Sequence, residues 1–183
     1  MNPGTLSRTE LAAQIYRTAH LTGSFRLRSG ATSEEYFDKY RFEAQPQLLG
    51  VIAMHLKELV PPDAEALAGL EMGGIPIATM LSQVTNLPTL FVRKQAKPYG
   101  TCRYAEGGEA AGRKLLIVED VVTSGGQIIE SVRALRADGA VITHALCVID
   151  REAGGAAALE REGLQLTPLF TMSELKEQRP RDR

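Results

Sequence analysis

The stretch Leu115-Leu116-Ile117-Val118-Glu119-Asp120-Val121-Val122-Thr123-Ser124-Gly125-Gly126-Gln127 decides the fold class of this chain. Four apolar residues lead into two adjacent carboxylates, two valines and a Thr-Ser-Gly-Gly turn. Apolar residues then recur at Ile128, Val132 and Leu135, with the spacing of one helix face. The pattern predicts a buried strand, a charged loop at its carboxyl end and a helix. In open α/β sheets, ligands bind at this kind of junction.

The turn and the acid pair predict two different halves of one ligand. The turn at residues 123–126 would bring free backbone N–H groups and a helix N-terminus together, which suits a phosphate. The acid pair Glu119-Asp120 would repel that phosphate and suits neutral hydroxyls, a cation, or both. An adjacent acid pair can also be a solvated turn, but here it interrupts an apolar run, where burying charge is costly. We therefore favour a site for a sugar phosphate.

The rest of the chain predicts an α/β fold with a central, mostly parallel sheet flanked by helices. From residue 66 onward, short apolar strands alternate with helical patterns, which is typical of helices on both faces of such a sheet. The predicted strands are 66–68, 89–92, 114–118, 141–149 and 164–170.

Residues 1–45, called the hood below, precede this alternation. Ser7-Arg8-Thr9-Glu10 has the form of a capping box at the start of a helix, and residues 23–30 and 36–38 predict a small hairpin. A helix is expected over residues 46–59, and Pro61-Pro62 prevents its continuation. We expect a single domain over 1–183, with the hood at 1–45 and a core at 46–183. The core carries a flexible loop at 94–112, where neither helical nor strand periodicity is present.

Composition excludes several classes of function. With 183 residues, a net charge of −1 and 44% hydrophobic residues, the chain has an ordinary soluble composition. No apolar run has the length of a membrane span or the form of a secretory signal, and no basic helix suggests a nucleic-acid partner. Cys102 and Cys147 are isolated from one another, as is typical of reduced thiols. We expect a cytoplasmic protein.

Cations cluster just before and within the predicted loop. Arg93, Lys94 and Lys97 are followed by Tyr99 and by a further arginine. Such a run is often only a solvated surface. Here it follows a buried strand and surrounds glycines, so these cations also suit a flexible loop that binds pyrophosphate during the reaction and then releases it.

Two further motifs carry a structural and a functional interpretation. The turn at residues 69–74 could be only tight, or could present N–H groups to an anion; it is neither a dinucleotide fingerprint nor a P-loop. Asp150-Arg151 at a strand end could be a surface ion pair. It could equally place a guanidinium against a planar, anionic substrate.

Together these residues resemble the type I phosphoribosyltransferases, in which the acid pair and the Thr-Ser-Gly turn form the family motif. Residues 119–127 match that motif closely. The resemblance extends to the orotate phosphoribosyltransferases, through three segments: Gly23-x-Phe25-x-Leu27-x-Ser29-Gly30-x-x-Ser33-x-x-Tyr36-Phe37, the flap Arg93-Lys94-x-x-Lys97-x-Tyr99-Gly100, and Asp150-Arg151. It covers roughly residues 23–155.

The resemblance implies that the chain transfers phosphoribosyl from 5-phosphoribosyl 1-pyrophosphate (PRPP) to orotate, in pyrimidine biosynthesis. The catalytic residues would be Lys97, Glu119 and Asp120, with the acid pair on the ribose hydroxyls. Orotate would contact Phe37, Thr123 and Arg151. The implied PRPP-binding residues are Arg28, Arg93, Lys94, Lys97, Tyr99, Glu119, Asp120, Val121, Val122, Thr123, Ser124, Gly125, Gly126 and Gln127.

The resemblance also implies Mg²⁺ as cofactor, held mainly through the substrate, and a homodimer whose flaps are shared across subunits. The sequence departs from the family pattern at Arg28 and Gly73, where the family often has lysine, and at Tyr99, where it often has histidine. The first departure keeps the charge, the second removes one, and the third removes an imidazole from the flap.

Two alternatives stay open on the sequence alone. A phosphoribosyltransferase for a purine or another base would share the fold and the motif, and would differ at the hood and at Arg151. A non-catalytic PRPP-sensing regulator would keep the motif but should carry a separate nucleic-acid-binding module.

Overall fold

A computed structural model describes residues 6–26, 30–95 and 103–179 of the chain. Within these ranges, six strands form one sheet in the order β5 (Ala105–Glu106), β4 (Thr89–Val92), β3 (Ala66–Leu70), β6 (Lys114–Val122), β7 (Val141–Asp150) and β8 (Gln165–Thr171), with β3 and β6 at its centre. All neighbours in this sheet are parallel except β4 and β5. The predicted α/β class with a mostly parallel central sheet is confirmed.

The elements of the core follow the alternation expected from the sequence. The helices are α3 (Pro46–Lys57), α4 (Gly74–Thr85), α5 (Gly126–Ala137), α6 (Gly155–Arg161) and α7 (Met172–Glu177).

The hood contains α1 (Arg8–Ala19), the hairpin of β1 (His20–Arg26) with β2 (Thr32–Phe37), and the four-residue helix α2 (Tyr40–Glu43). The predicted capping box is present, because Ser7 accepts a hydrogen bond from the backbone of Glu10 and the Glu10 side chain bonds back. The predicted hairpin forms a separate two-stranded antiparallel sheet.

Two hydrophobic clusters cover the two faces of the large sheet. One joins α1, α3, α4 and α7 to the sheet and includes Leu11 and Phe42 of the hood, while the other packs α5 and α6 on the opposite face. The hood is therefore tied to the core through buried side chains, which places the segment after β2 near the carboxyl edge of the sheet.

Three local expectations need correction. The predicted loop over 94–112 contains β5, which pairs with β4, and Ala105 is buried there. Strand β6 runs on to Val122, so Glu119 and Asp120 lie within a strand and not in a loop. The helix α2 was not predicted, because four residues give no measurable period.

Candidate functional site

An open cleft of about 550 Å³ lies at the carboxyl ends of β3, β4 and β6, where parallel sheets bind ligands. Most of the predicted motif meets there with residues of the hood and of the turn after β3. The wall is formed by Lys39, Tyr40, Glu71, Met72, Lys94, Glu119 and residues 121–128.

The floor of the cleft is the turn between β6 and α5. Gly125 caps α5 with a φ of 77°, a conformation that favours glycine. A Cβ at this position would also meet the carbonyl oxygen of Gly155 at 3.3 Å. Because the first N–H groups of a helix have no partner within it, the twelve-residue helix α5 directs its positive end at the cleft. This geometry suits a phosphate.

The two carboxylates of the motif point in different directions. Successive side chains alternate along a strand, so Glu119 lies on the cleft wall while Asp120 is fully buried beneath it. Burial, a hydrogen bond with Asp120 and the Asp120 charge raise the pKa of Glu119 well above its ordinary value. The structure thus exposes one carboxyl of the pair to the cleft.

Asp120 keeps its charge through its partners. Its Oδ1 accepts a hydrogen bond from the Val121 N–H at 2.5 Å, and its Oδ2 lies 2.5 Å from the ammonium Nζ of Lys39. Burial alone would raise the pKa of Asp120, but its bonds with Glu119 and Lys39 lower it below the ordinary value. The carboxylate is an anion held inside the protein.

Asp120 is surrounded by Gly73 and by two residues of the hood that the sequence did not single out. Lys39 precedes α2 and reaches the cleft wall, and Glu43 of the same helix is buried close by. Burial, together with a hydrogen bond to Asp120 and the charge of that carboxylate, raises the pKa of Glu43 to about 9. Gly73 presses against Asp120 so closely that a Cβ there would collide with the carboxylate.

The lysine and the glutamate looked like an ordinary surface pair in the sequence. Lys39 and Glu43 are four residues apart, a spacing that usually marks an exposed helical ion pair. The one sequence signal of another role is that Lys39 directly follows the predicted strand 36–38 of the hood.

The predicted cations are only partly gathered at the cleft. Lys94 lies on its wall, and its backbone N–H donates to Oε2 of Glu71 at 3.2 Å. Arg93 directly follows β4, its N–H donates to the carbonyl of Tyr104, and it is not among the wall residues. Arg28, Lys97 and Tyr99 lie outside the described residues, so their roles stay predictions.

Of the residues predicted to contact a planar base, one lies on the cleft wall. Thr123 is exposed there. Phe37 packs against the hydrophobic cluster of the hood, and Arg151 is exposed beyond the end of β7 with its N–H bonded to the Val122 carbonyl at 2.8 Å. The hood instead supplies Tyr40, an aromatic side chain that is 43% exposed on the wall.

Among the described residues, no group of three His, Cys, Asp or Glu side chains is arranged to hold a metal ion. In the same ranges, no helix is long and apolar enough to cross a membrane. The cytoplasmic location stays a prediction.

The sequence matches the phosphoribosyl transferase domain family over residues 58–162. It is 50% identical to an orotate phosphoribosyltransferase of Nocardioides sp. over 93% of this chain and 95% of the relative. It is 39% identical to an orotate phosphoribosyltransferase of Methanocella arvoryzae over 94% of this chain and 99% of the relative.

Solved structures agree with these sequence matches. The orotate phosphoribosyltransferase of Mycobacterium tuberculosis in complex with PRPP superposes with a TM-score of 0.80, at 28% identity over 92% of this chain and 98% of its own. A phosphoribosyltransferase of Corynebacterium diphtheriae gives a TM-score of 0.81 at 30% identity, over 93% of this chain and 99% of its own. This chain therefore belongs to the phosphoribosyltransferase family, in the branch of the orotate phosphoribosyltransferases.

Proposed function

We propose that the chain transfers the phosphoribosyl group of PRPP to orotate, which gives orotidine 5′-monophosphate and pyrophosphate, a step of de novo pyrimidine biosynthesis. The observation that carries the proposal is the cleft in which Glu119 faces the phosphate-binding turn, in a chain whose relatives are named for this reaction. A ribose 5-phosphate has hydroxyls for the carboxyl and a phosphate for the turn.

The residues of the cleft divide the substrate between them. The turn at residues 123–127 would bind the 5-phosphate through backbone N–H groups at the start of α5. Glu119 would accept hydrogen bonds from ribose hydroxyls, with Asp120 behind it. Lys94 at the wall, with Lys97 and Tyr99 of the flap, would bind pyrophosphate.

The reaction replaces pyrophosphate by a ring nitrogen of orotate at the anomeric carbon of the ribose. Positive charge develops on the ribose and negative charge on the leaving group, so cations at the pyrophosphate end lower the barrier. Closure of the flap would exclude water, which would otherwise capture the ribose. Thr123, Phe37 and Arg151 are proposed to orient the base.

We propose Mg²⁺ as the cofactor, bound mainly through the oxygens of PRPP. Glu71 and Glu119 line the cleft wall, and such carboxyls suit an ion that takes most of its oxygen ligands from the substrate and from water. When bound, the ion would neutralise charge on the departing pyrophosphate. No side chain of the chain is assigned to it.

We also propose a homodimer with flaps shared across subunits. Met72 is 58% exposed beside the cleft and Phe91 is 37% exposed on β4, so apolar surface lies next to the site. The test mixes a Lys97→Ala variant with a Glu119→Gln variant, each expected to be inactive alone. Turnover recovered on mixing supports shared sites, and its absence from a mixed dimer confirmed by mass would contradict them.

The function is tested by incubating the purified protein with PRPP, Mg²⁺ and orotate, hypoxanthine or uracil in turn. Consumption of orotate alone, with release of pyrophosphate, is the expected result. Turnover of hypoxanthine alone would establish the purine alternative. Binding of PRPP without turnover of any base would favour the non-catalytic regulator.

A further inference from the structure

Lys39 links the hood to strand β6, which carries Glu119 and Asp120. It stands immediately before α2, and its ammonium lies 2.5 Å from Oδ2 of Asp120 near the carboxyl end of β6. The lysine side chain is 32% exposed and lines the cleft, whereas the aspartate side chain is fully buried. The pair therefore connects the cleft to a charge inside the protein.

Asp120 has no other full positive charge beside it among the described groups that face it. Glu43 of α2 and Glu119 of β6 are carboxyl groups, and the turn before α4 contributes the uncharged Gly73. Cys147 of β7 is buried with a raised pKa, since burial and nearby carboxylates disfavour its thiolate. Without Lys39, these groups would leave Asp120 desolvated among acids.

A buried carboxylate without a cation takes up a proton, because desolvation disfavours the charged form. A protonated Asp120 would carry one O–H donor and would be a weaker acceptor, which would change the hydrogen bonds that it offers to Glu119. If it stayed charged instead, the acid pair would repel a polyanion such as PRPP more strongly. Either outcome would weaken the ribose site.

We propose that Lys39 is a positioning residue for the acid pair, which holds Asp120 ionised and in place beside Glu119 while the phosphoribosyl donor binds. This inference rests on the proposed function, because it assigns Lys39 to the PRPP half of that reaction. Lys39 acts through Asp120, so its loss should affect PRPP far more than the base.

The test compares Lys39→Met with Lys114→Met. The second variant removes the lysine of the exposed Lys114–Asp63 ion pair, at the opposite end of β6 from Asp120. Lys39→Met is expected to lower kcat/KM for PRPP by about tenfold or more, with a much smaller change in KM for orotate. Lys114→Met should match the unaltered protein. Lys39→Arg, which keeps the charge, should recover part of the loss.

The pH profile separates positioning from a general structural role. In Lys39→Met, burial of Asp120 is no longer offset, so the pKa of this carboxyl should rise. The acidic limb of kcat/KM for PRPP should then move to higher pH, and Lys39→Arg should move it back. A uniform loss of activity with an unmoved limb would overturn the proposal.

A double-mutant cycle on PRPP affinity, measured by calorimetry without any base, keeps the test independent of turnover. If Lys39 acts through Asp120, adding Lys39→Met to Asp120→Asn should change the affinity little. A further loss of about tenfold in the double variant would overturn the proposal. If Lys39→Met alone does not fold, the comparison of Asp120→Asn with the double variant decides, since neither leaves Asp120 charged.

Failure of this inference differs from failure of the proposed function. Unaltered protein that neither binds PRPP nor turns over orotate would overturn the function itself. Normal turnover by the unaltered protein, with Lys39→Met equal to it in PRPP affinity and pH profile, would overturn only the role of Lys39.

Discussion

The central strand β6 carries a lysine–aspartate pair near each of its ends, and the two pairs lie in opposite environments. Near its amino end, Lys114 lies 3.0 Å from Asp63, with side chains that are 54% and 62% exposed. Near its carboxyl end, Asp120 is fully buried and lies 2.5 Å from Lys39 of the hood. The chemistry of the two pairs is the same, and only the solvent differs.

The difference shows why the function lies at one edge of the sheet. Water and salt screen the exposed pair, so its removal should change little. The buried pair cannot lose one partner without leaving an uncompensated charge, which makes it costly and sensitive to its surroundings. The second environment is the one beside the cleft, where charge can act on a ligand.

The largest effect is expected for Asp120→Ala. The change leaves Lys39 without its counter-charge and opens a space inside the protein, so the free energy of unfolding should fall by about 3 kcal/mol. Turnover should fall to the background rate. Urea unfolding followed by circular dichroism measures the first effect, with Asp63→Ala as the matched variant at the exposed end. Equal urea midpoints for the two variants would contradict the distinction.

The sequence predicts the elements that carry the two pairs, but it does not predict the contact between Lys39 and Asp120. The strand β4 begins and ends where its apolar run predicts, and the turn at residues 123–127 lies where its motif predicts. The pair of Lys39 with Asp120 joins segments far apart in sequence, and no local period encodes such a contact. The strand β5 was not predicted, because two residues are too few to show a strand pattern. It forms only through its pairing with β4.

The acid pair illustrates the same limit in one place. The sequence predicts that Glu119 and Asp120 act together, but it also predicts that the strand ends before them, because they are charged. The structure keeps both in β6, so that alternation turns one toward the cleft and one inward. A buried charge is tolerated in a strand only where a distant partner compensates it, and that partner comes from the hood.

A smaller effect is expected for Gly73→Ala, which tests how tightly Asp120 is enclosed. The φ of Gly73 is −70°, so alanine fits the backbone, but its Cβ would collide with the Asp120 carboxylate. Forcing that contact should lower the free energy of unfolding by about 1–3 kcal/mol and reduce turnover.

Gly50→Ala is the matched control, because a Cβ at this helical position in α3 meets nothing within 4 Å. The free energy of unfolding of this variant should rise by about 0.5–1 kcal/mol, because alanine is the better helix former. Urea midpoints and orotate turnover are measured for both. If Gly73→Ala behaved like Gly50→Ala, the enclosure of Asp120 by this turn would be wrong.

The last expected effect is a dependence of stability on pH, and its sign should differ between the two ends of β6. Burial and the neighbouring Asp120 raise the pKa of Glu43 to about 9 in the folded protein. The unfolded chain releases this proton near the ordinary value of 4.5, so the stability that Glu43 contributes is lost as the pH rises toward 9. The stability of Glu43→Gln relative to the unaltered protein should therefore increase as the pH rises from about 5 to about 8.

At the exposed end the sign reverses. The hydrogen bond and the positive charge of Lys114 lower the pKa of Asp63, so its contribution is present above the ordinary value and is lost as the pH falls through the lowered one. Asp63→Asn should be less stable than the unaltered protein at neutral pH and equally stable in acid. The difference should be smaller than for Glu43→Gln, because the pair of Asp63 with Lys114 is exposed. Urea midpoints for both variants across this range measure the two slopes. Slopes of the same sign would mean that burial does not set the character of the two ends, because a buried acid held protonated and an exposed acid held ionised must respond to pH in opposite directions.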